Sequence, residues 1–425
     1  MLMTVFLLLV KMEHKNDKNG LDFNAQAYLN LHKEFLSTVI MNERESFNAK
    51  MPTACFLLFF AHGLVFSSWA SRIPIIKTAL SINEAQLGTL LLLMPIGQLS
   101  TMVLAGKLIS IYGSSGIIKR CFLLYPFFLL LIGLSPSYWT LGVVLFFFGV
   151  SGNMCNIAIN TQAIEIESIT KRTLLSSYHG AWCFAGLTGA VIGLLMINLH
   201  VGTFYHFAVI FILVGILWYY SKRNLTNIIH KAEPQTRSIF KAVNPTLVGL
   251  GIIGFLSMAI EGAMFDWSGV YFQTIVKAPE NLVILGYTSF ILMMTLGRFI
   301  GNRIIEKYGK KIVLQCCGIL MSGGLFLSVF FPQLWICIIA FMIIGLGSSL
   351  SVPSVYSTVG KVSTVAPSIA LSFVSSISFL GFLMGPPLIG YIAESFDLRY
   401  SYGLFACFGI LLAIMAGQMK VFRKS

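Results

Sequence analysis

Residues 106–115 read GKLISIYGSS, and residues 302–311 read NRIIEKYGKK, 196 positions later in the chain. The two stretches share a Tyr-Gly pair, and each lies between two long apolar segments. Other residues that end or bend helices recur at the same spacing: Pro136 and Pro332, Trp139 and Trp335, Gly149 and Gly345, Gly189 and Gly385. A repeat of this length without a gap predicts two copies of one helical bundle.

The composition places these bundles in a membrane. Hydrophobic residues make up 56% of the chain and charged residues 11%, whereas soluble domains have about 25% charged residues. A spanning helix needs about 20 apolar residues. We therefore predict an all-α membrane protein with twelve transmembrane helices in two pseudo-symmetric six-helix halves. The predicted spans are 52–73, 85–109, 117–135, 139–165, 176–197, 203–221, 246–271, 283–305, 311–330, 334–360, 368–392 and 401–419.

The longest charged interval after the first 50 residues separates the two halves. Because six is an even number, both halves enter the membrane from the same side and form parallel repeats.

Met41 or Met51 is an alternative start of the chain. The predicted regions are a flexible cytosolic extension (1–50), an N-terminal six-helix bundle (51–221), a cytosolic linker (222–243), and a C-terminal six-helix bundle with a short basic tail (244–425).

The net charge of +13 is explained by topology. Most lysines and arginines of the helical region, Arg298 among them, fall on the side of the predicted spans that faces the N-terminus. The opposite side has only Arg72, Lys77, Lys277 and Arg399. This asymmetry follows the positive-inside rule and predicts cytosolic termini in the inner (plasma) membrane. We expect no nucleic-acid partner.

The Tyr-Gly stretches resemble the loop signature of the major facilitator superfamily, roughly G-x-L-x-D-x-x-G-R-K. In that family, charged residues at these positions brace neighbouring helices on the cytosolic face. The second copy has Glu306, Lys310 and Lys311 there, whereas the first has Ser110 and Ser114. The resemblance implies a transporter fold with a charge brace in the C-terminal half, and it leaves a brace in the N-terminal half open.

A second resemblance is narrower. The stretches SWASRIPIIK (68–77), QLG (86–88) and NIAINTQA (156–163) are similar to the YbjJ-like branch of that superfamily. The likeness covers residues 52 to about 420. It implies transport without implying a particular substrate.

Two titratable residues are predicted to lie deep in the membrane and to carry protons. Glu261 lies about 15 residues into the seventh span, and His62 lies near the middle of the first. An ionisable group at mid-membrane costs at least about 2.5–3.5 kcal/mol, so it tends to mark an ion or substrate path. Histidine also titrates near neutral pH. The alternatives are a hydrogen-bonded structural acid and a packing histidine.

The predicted substrate cavity is lined by polar and aromatic side chains. Asn153, Asn156 and Asn160 are spaced three and four apart, so they share one face of the fourth span, which suits either a hydrated cavity or a helix contact. The other cavity candidates are Trp69, which lies on the face of His62, Gln98, Trp182 and Asp266, the last expected at the outer rim.

Acids at the basic end of the fourth span are predicted to form a gate or brace. Glu165 and Glu167 lie close to Lys171 and Arg172. Together with Glu306, Lys310 and Lys311, they are more consistent with contacts between helices than with substrate binding.

These features predict a secondary active transporter that moves a small polar solute by alternating access. We expect proton-coupled import of a sugar or related compound, since amide and indole groups suit hydroxyl-rich rings. The alternatives are a proton-driven efflux pump for amphipathic compounds, a sensor with a transporter fold, and a membrane-embedded acyl-transfer enzyme using His179.

No GxSxG, HExxH or P-loop motif is present, and we expect no enzyme activity, catalytic residue, cofactor or metal. The eight cysteines lie in predicted spans without CxxC spacing. We expect a monomer in the lipid bilayer.

Overall fold

The structure is a computed structural model that describes residues 25–172, 174–226, 244–362 and 367–423. Helices and short 3-10 turns make up the regular structure of these residues. The helices are α1 (Ala25–Ala79), α2 (Glu84–Cys121), α3 (Leu124–Ile132), α4 (Tyr138–Thr170), α5 (Leu175–Asn198), α6 (Thr203–Ser221), α7 (Pro245–Thr274), α8 (Leu285–Phe330), α9 (Leu334–Val362), α10 (Pro367–Ser395) and α11 (Leu398–Gln418).

The described residues contain eleven helical segments that are long and apolar enough to cross a membrane. Of the twelve predicted spans, 85–109 has no separate segment among these eleven. It lies in α2, which begins with the polar residues Glu84 and Gln86. The all-α membrane class is confirmed.

The linker residues 227–243 and residues 1–24 of the N-terminal extension lie outside the described residues. Met1–Lys50 and Met51–Ser425 form separate compact units, and the helix bundle belongs to the second.

The Tyr-Gly pair of each repeat marks a sharp turn inside a long helix. Gly113 interrupts α2 with φ 72° and ψ 159°, and Gly309 interrupts α8 with φ 76° and ψ 155°. These are the positive-φ glycines among the described residues. A side chain is strongly disfavoured in this backbone region. The glycines recur because each half reverses direction there, at what we call the basic end of the bundle.

A second recurring glycine sets how closely two helices approach in each half. A Cβ atom added to Gly149 of α4 would overlap the carbonyl oxygen of Met94 in α2. A Cβ atom added to Gly345 of α9 would overlap the carbonyl oxygen of Phe290 in α8. Met94 and Phe290 are themselves 196 residues apart. The repeat therefore preserves the same backbone-to-backbone contact, as small residues do in membrane helix packing.

Hydrogen bonds join the two halves at the end opposite the basic end. Asn83 Nδ2 donates to Glu394 Oε1 over 3.1 Å, and Thr89 Oγ1 lies 3.0 Å from Tyr391 Oη. Gln273 Nε2 donates to Thr78 Oγ1 over 2.9 Å. These contacts link α2 with α10 and α1 with α7. They close the opposite end of the bundle.

The predicted span 117–135 lies in one apolar segment, Leu104–Ile132. This segment has a short break in its helical pattern, since α2 ends at Cys121 and α3 begins at Leu124, although Phe122 and Leu123 keep right-handed helical backbone angles. The apolar pattern continues through Phe122 and Leu123, so hydropathy alone gives no signal for the break.

We expect Gly113→Ala and Gly309→Ala each to destabilise the protein by about 1–3 kcal/mol, since each places a Cβ in a region of φ and ψ open essentially to glycine. Thermal unfolding of the purified protein in detergent measures the effect. Gly106→Ala is the matched control, because Gly106 lies in regular α2 helix and a Cβ there meets no atom within 4 Å. Equal unfolding temperatures for Gly113→Ala and Gly106→Ala would show that the turn carries no backbone constraint.

Candidate functional site

The centre of the site is an ion pair between α7 and α8. Arg298 Nη2 lies 3.3 Å from Glu261 Oε1, with 25% and 12% of the two side chains exposed. Arg298 Nη1 also donates to Cys183 Sγ of α5 over 2.8 Å. The pair thus joins two helices of the C-terminal half to one helix of the N-terminal half.

Arg298 is not among the residues that the sequence predicts for the site, because its charge fits the basic side of the predicted topology. The residue lies inside the predicted span 283–305, eleven residues before the Gly309 turn. At 1.5 Å per residue this is about 16 Å along the helix, close to the middle of a bilayer core about 30 Å thick. A charged residue that deep in an apolar segment is the signal that could have identified it.

His62 is held by groups other than Glu261. Trp182 Nε1 donates to His62 Nδ1 over 3.2 Å, and His62 Nε2 lies 3.1 Å from the carbonyl oxygen of Gly152. Since an indole nitrogen only donates, Nδ1 accepts and Nε2 carries the proton that bonds to Gly152. The ring also stacks on Tyr125, with centroids 4.9 Å apart. These contacts hold the imidazole in place and, through it, the Trp182 ring.

The polar face of α4 divides between helix contact and an accessible surface. Asn153 Nδ2 donates to the carbonyl oxygen of Gln98 in α2 over 2.7 Å. Asn160 Nδ2 bonds to the backbone oxygen and the Oδ1 atom of Asn156, and Asn156 is exposed. Asn153 therefore contributes to helix packing, while the amide groups of Asn156 and Asn160 lie on the accessible part of this face. The Gln98 side chain is partly buried.

Trp69 and Asp266 lie inside the bundle rather than at its surface. Trp69 is 1% exposed and packs near Phe148, with ring centroids 6.3 Å apart. Asp266 is 2% exposed, and neither carboxylate oxygen has a hydrogen-bond partner among the described atoms. Asp266 is thus buried within the bundle, and its expected place at the outer rim stays a prediction.

The N-terminal half has a brace made of hydrogen bonds. Ser114 Oγ donates to Glu165 Oε2 over 2.8 Å and to Gln162 Oε1 over 3.1 Å. Thr226 Oγ1 also donates to Glu165 Oε2 and accepts from Gln162 Nε2. These contacts join the second part of α2 to α4 and to the segment after α6.

The equivalent contact in the C-terminal half uses a charge. Lys310 Nζ donates to Thr358 Oγ1 over 3.3 Å. Lys310 and Thr358 lie 196 residues after Ser114 and Gln162. The same pair of positions therefore braces both halves, by a hydroxyl in one and an ammonium group in the other.

The remaining gate candidates have different surroundings. Glu167 Oε1 accepts the backbone N–H groups of Leu174 and Leu175, so it caps the start of α5. Acidic groups are favourable at a helix N-terminus. Glu306 is exposed, and Lys311 is partly buried.

The sequence matches the family model of the Major Facilitator Superfamily over residues 55–286 and 271–422. The chain belongs to the major facilitator superfamily. It is thus a multi-pass membrane protein of that type. It is 31% identical over 365 residues to the membrane protein MosC of Rhizobium meliloti, covering 85% of this chain and 88% of that protein.

Solved structures share the fold at low sequence identity. A variant of the nucleoside transporter NupG superposes with a TM-score of 0.72 at 14% identity, covering 86% of this chain and 98% of that one. A D-xylose-proton symporter superposes with a TM-score of 0.68 at 13% identity, covering 87% and 97%. This superfamily member therefore has the transporter fold in both halves.

We expect Ser114→Ala to destabilise the protein by about 1–3 kcal/mol, because it removes the Ser114 hydroxyl from Gln162 Oε1 and leaves Glu165 Oε2 with one donor fewer in a buried site. Ser110→Ala is the control, since Ser110 is on the same helix and its hydroxyl bonds to the backbone of Lys107. Ser114→Lys should retain more stability than Ser114→Ala, as the lysine can pair with Glu165. Thermal unfolding in detergent ranks the three variants, and equal losses in Ser114→Ala and Ser110→Ala would contradict the brace.

Proposed function

We propose that this protein is a proton-coupled secondary transporter that imports a small polar solute, such as a sugar or related compound, by alternating access. The carrying observation is the Glu261–Arg298 pair, which lies in the C-terminal half and reaches the N-terminal half through Cys183, while hydrogen bonds join the halves at the opposite end. A buried carboxylate whose counter-ion sits on another helix can gain or lose a proton as the helices move.

The fold supports transport over the other function classes. The family and the solved neighbours are transporters, and we propose no enzyme activity and no cofactor. We also propose the YbjJ-like branch, a monomer in the inner membrane and cytosolic termini at the basic end. The polar groups Asn156, Asn160 and Trp182 support a hydroxylated solute, since amides and an indole can contact ring hydroxyls.

Within this proposal, Glu261 carries the proton and Arg298 compensates its charge when the proton leaves. His62 is fixed by Gly152 and Trp182. It serves to position the Trp182 ring beside the path and is the second candidate for proton exchange.

We expect Glu261→Gln to abolish uphill accumulation while leaving counterflow exchange intact, because the amide cannot carry a proton and exchange does not require one. Uptake of isotope-labelled hexoses and polyols by cells expressing the protein, with and without an uncoupler, measures accumulation. Glu280→Gln is the control, because Glu280 is an exposed acid in the turn before α8. Unchanged accumulation in Glu261→Gln would refute the assigned carrier.

The second candidate function is proton-driven efflux of amphipathic compounds. Its support is an aromatic cluster where the halves meet, in which Phe66, Trp182 and Phe265 have ring centroids 5.4–6.4 Å apart. Flat apolar rings would stack there. Efflux predicts that a deletion strain becomes sensitive to lipophilic cations, whereas import predicts no change in sensitivity.

A further inference from the structure

Arg298 has more hydrogen-bond donors than its surroundings satisfy. The guanidinium makes one contact of 3.3 Å with Glu261 and one of 2.8 Å with the Cys183 sulfur. Its Nε has no hydrogen-bond partner among the described atoms. Arginine has five N–H donors, and thiol sulfur is a weak acceptor. The site therefore lacks acceptor atoms.

The contact with Glu261 is also looser than a strong ion pair. Arginine and carboxylate pair best through two parallel bonds of about 2.7–2.9 Å. Here one oxygen of Glu261 makes a single longer contact. Glu261 therefore occupies only part of the planar guanidinium group of Arg298, and a second carboxylate has room to approach the same group.

Among the described residues, the other titratable groups that interact with the pair are Cys183, His179 and Tyr356, and none of them is a carboxylate. His179 of α5 lies within electrostatic range of Arg298, and Tyr356 of α9 lies within range of Glu261. Both can donate hydrogen bonds to an anion. His179 is exposed and Tyr356 is partly buried.

We propose that the transported solute carries a carboxylate and that this carboxylate binds Arg298 when Glu261 is protonated. The inference rests on the proposed function, in which Glu261 carries the proton. A proton binds a Glu261 carboxylate oxygen, and the neutral acid releases Arg298. The solute carboxylate then takes its place, and loss of the proton from Glu261 expels the solute.

Charge balance favours this exchange over the alternatives. With the solute absent, Glu261 neutralises Arg298; with the solute bound, the solute neutralises it. The site stays neutral in both states, so no unpaired charge crosses the low-dielectric interior. A cationic solute would instead draw Glu261 away and leave Arg298 uncompensated.

The test uses three probes that share one ring and differ in charge: glucose, glucuronate and glucosamine, with acetate as a carboxylate without the ring. Thermal unfolding of the full-length purified protein reports binding. Glucuronate and acetate should raise the unfolding temperature, and more strongly at pH 5.5 than at pH 8. Glucose and glucosamine, which have no carboxylate, should not raise it.

Two variants separate the roles of the pair. Glu261→Gln should bind glucuronate about tenfold or more tightly than the wild type at pH 8, with little pH dependence, because the internal competitor is gone. Arg298→Ala should lose the glucuronate effect. Arg298→Lys, which keeps the charge, guards against a folding defect and should retain weakened binding. Glu280→Gln should behave as the wild type.

Stabilisation by glucosamine rather than glucuronate would overturn the proposal, and so would the absence of any shift with either carboxylate. Glucuronate affinity that is equal in Glu261→Gln and the wild type at pH 8 would also overturn it. The outcome of these binding experiments does not decide the outcome of the uptake test. If Glu261→Gln still loses accumulation while carboxylates fail to bind, the solute class is wrong and the proton role stands.

Discussion

A charge in the middle of a bilayer must be neutralised, and the contact between Glu261 and Arg298 is where this protein meets that demand. The same constraint governs the smaller polar groups. Many serine and threonine hydroxyls in the spans bond to carbonyl oxygens of their own helix, as Ser68 does with Leu64 and Thr101 with Gly97. Polar groups that instead bond between helices mark the contacts on which a rearrangement depends.

The repeat and its exceptions separate scaffold from site. The turns at Gly113 and Gly309 recur, and so does the brace at residues 114 and 310. The central ion pair does not recur: Val65 and Met102 occupy the positions 196 residues before Glu261 and Arg298. Shared backbone geometry suits the proposed movement of two similar halves against each other, whereas the proposed binding and proton exchange would use groups that only one half has.

The fold could be predicted from the sequence because its determinants are local. Apolar length gives the spans, and glycine spacing gives the turns and close contacts. The break at Phe122–Leu123 could not be predicted, because both residues suit a membrane helix. The site was less accessible to prediction, since pairing depends on which helices meet. The depth of Glu261 in its span is enough to predict a functional role. Its partner Arg298 has the same sequence signal as the basic residues that set the membrane topology. The contacts of His62 with Gly152 and Trp182 join residues that are far apart in the sequence.

We propose that the two similar halves rock about a neutralised site at mid-membrane. Electron paramagnetic resonance distances between spin labels at positions 78 and 273 test it most directly, since the native Thr78 and Gln273 side chains bond across the closed end. The exposed Cys316 and Cys407 would be changed to serine first. A label pair at positions 137 and 200, within the N-terminal half, is the control. Rocking of the halves predicts a short and a longer distance for the first pair and one unchanged distance for the control. A single short distance under all conditions for the first pair would contradict it.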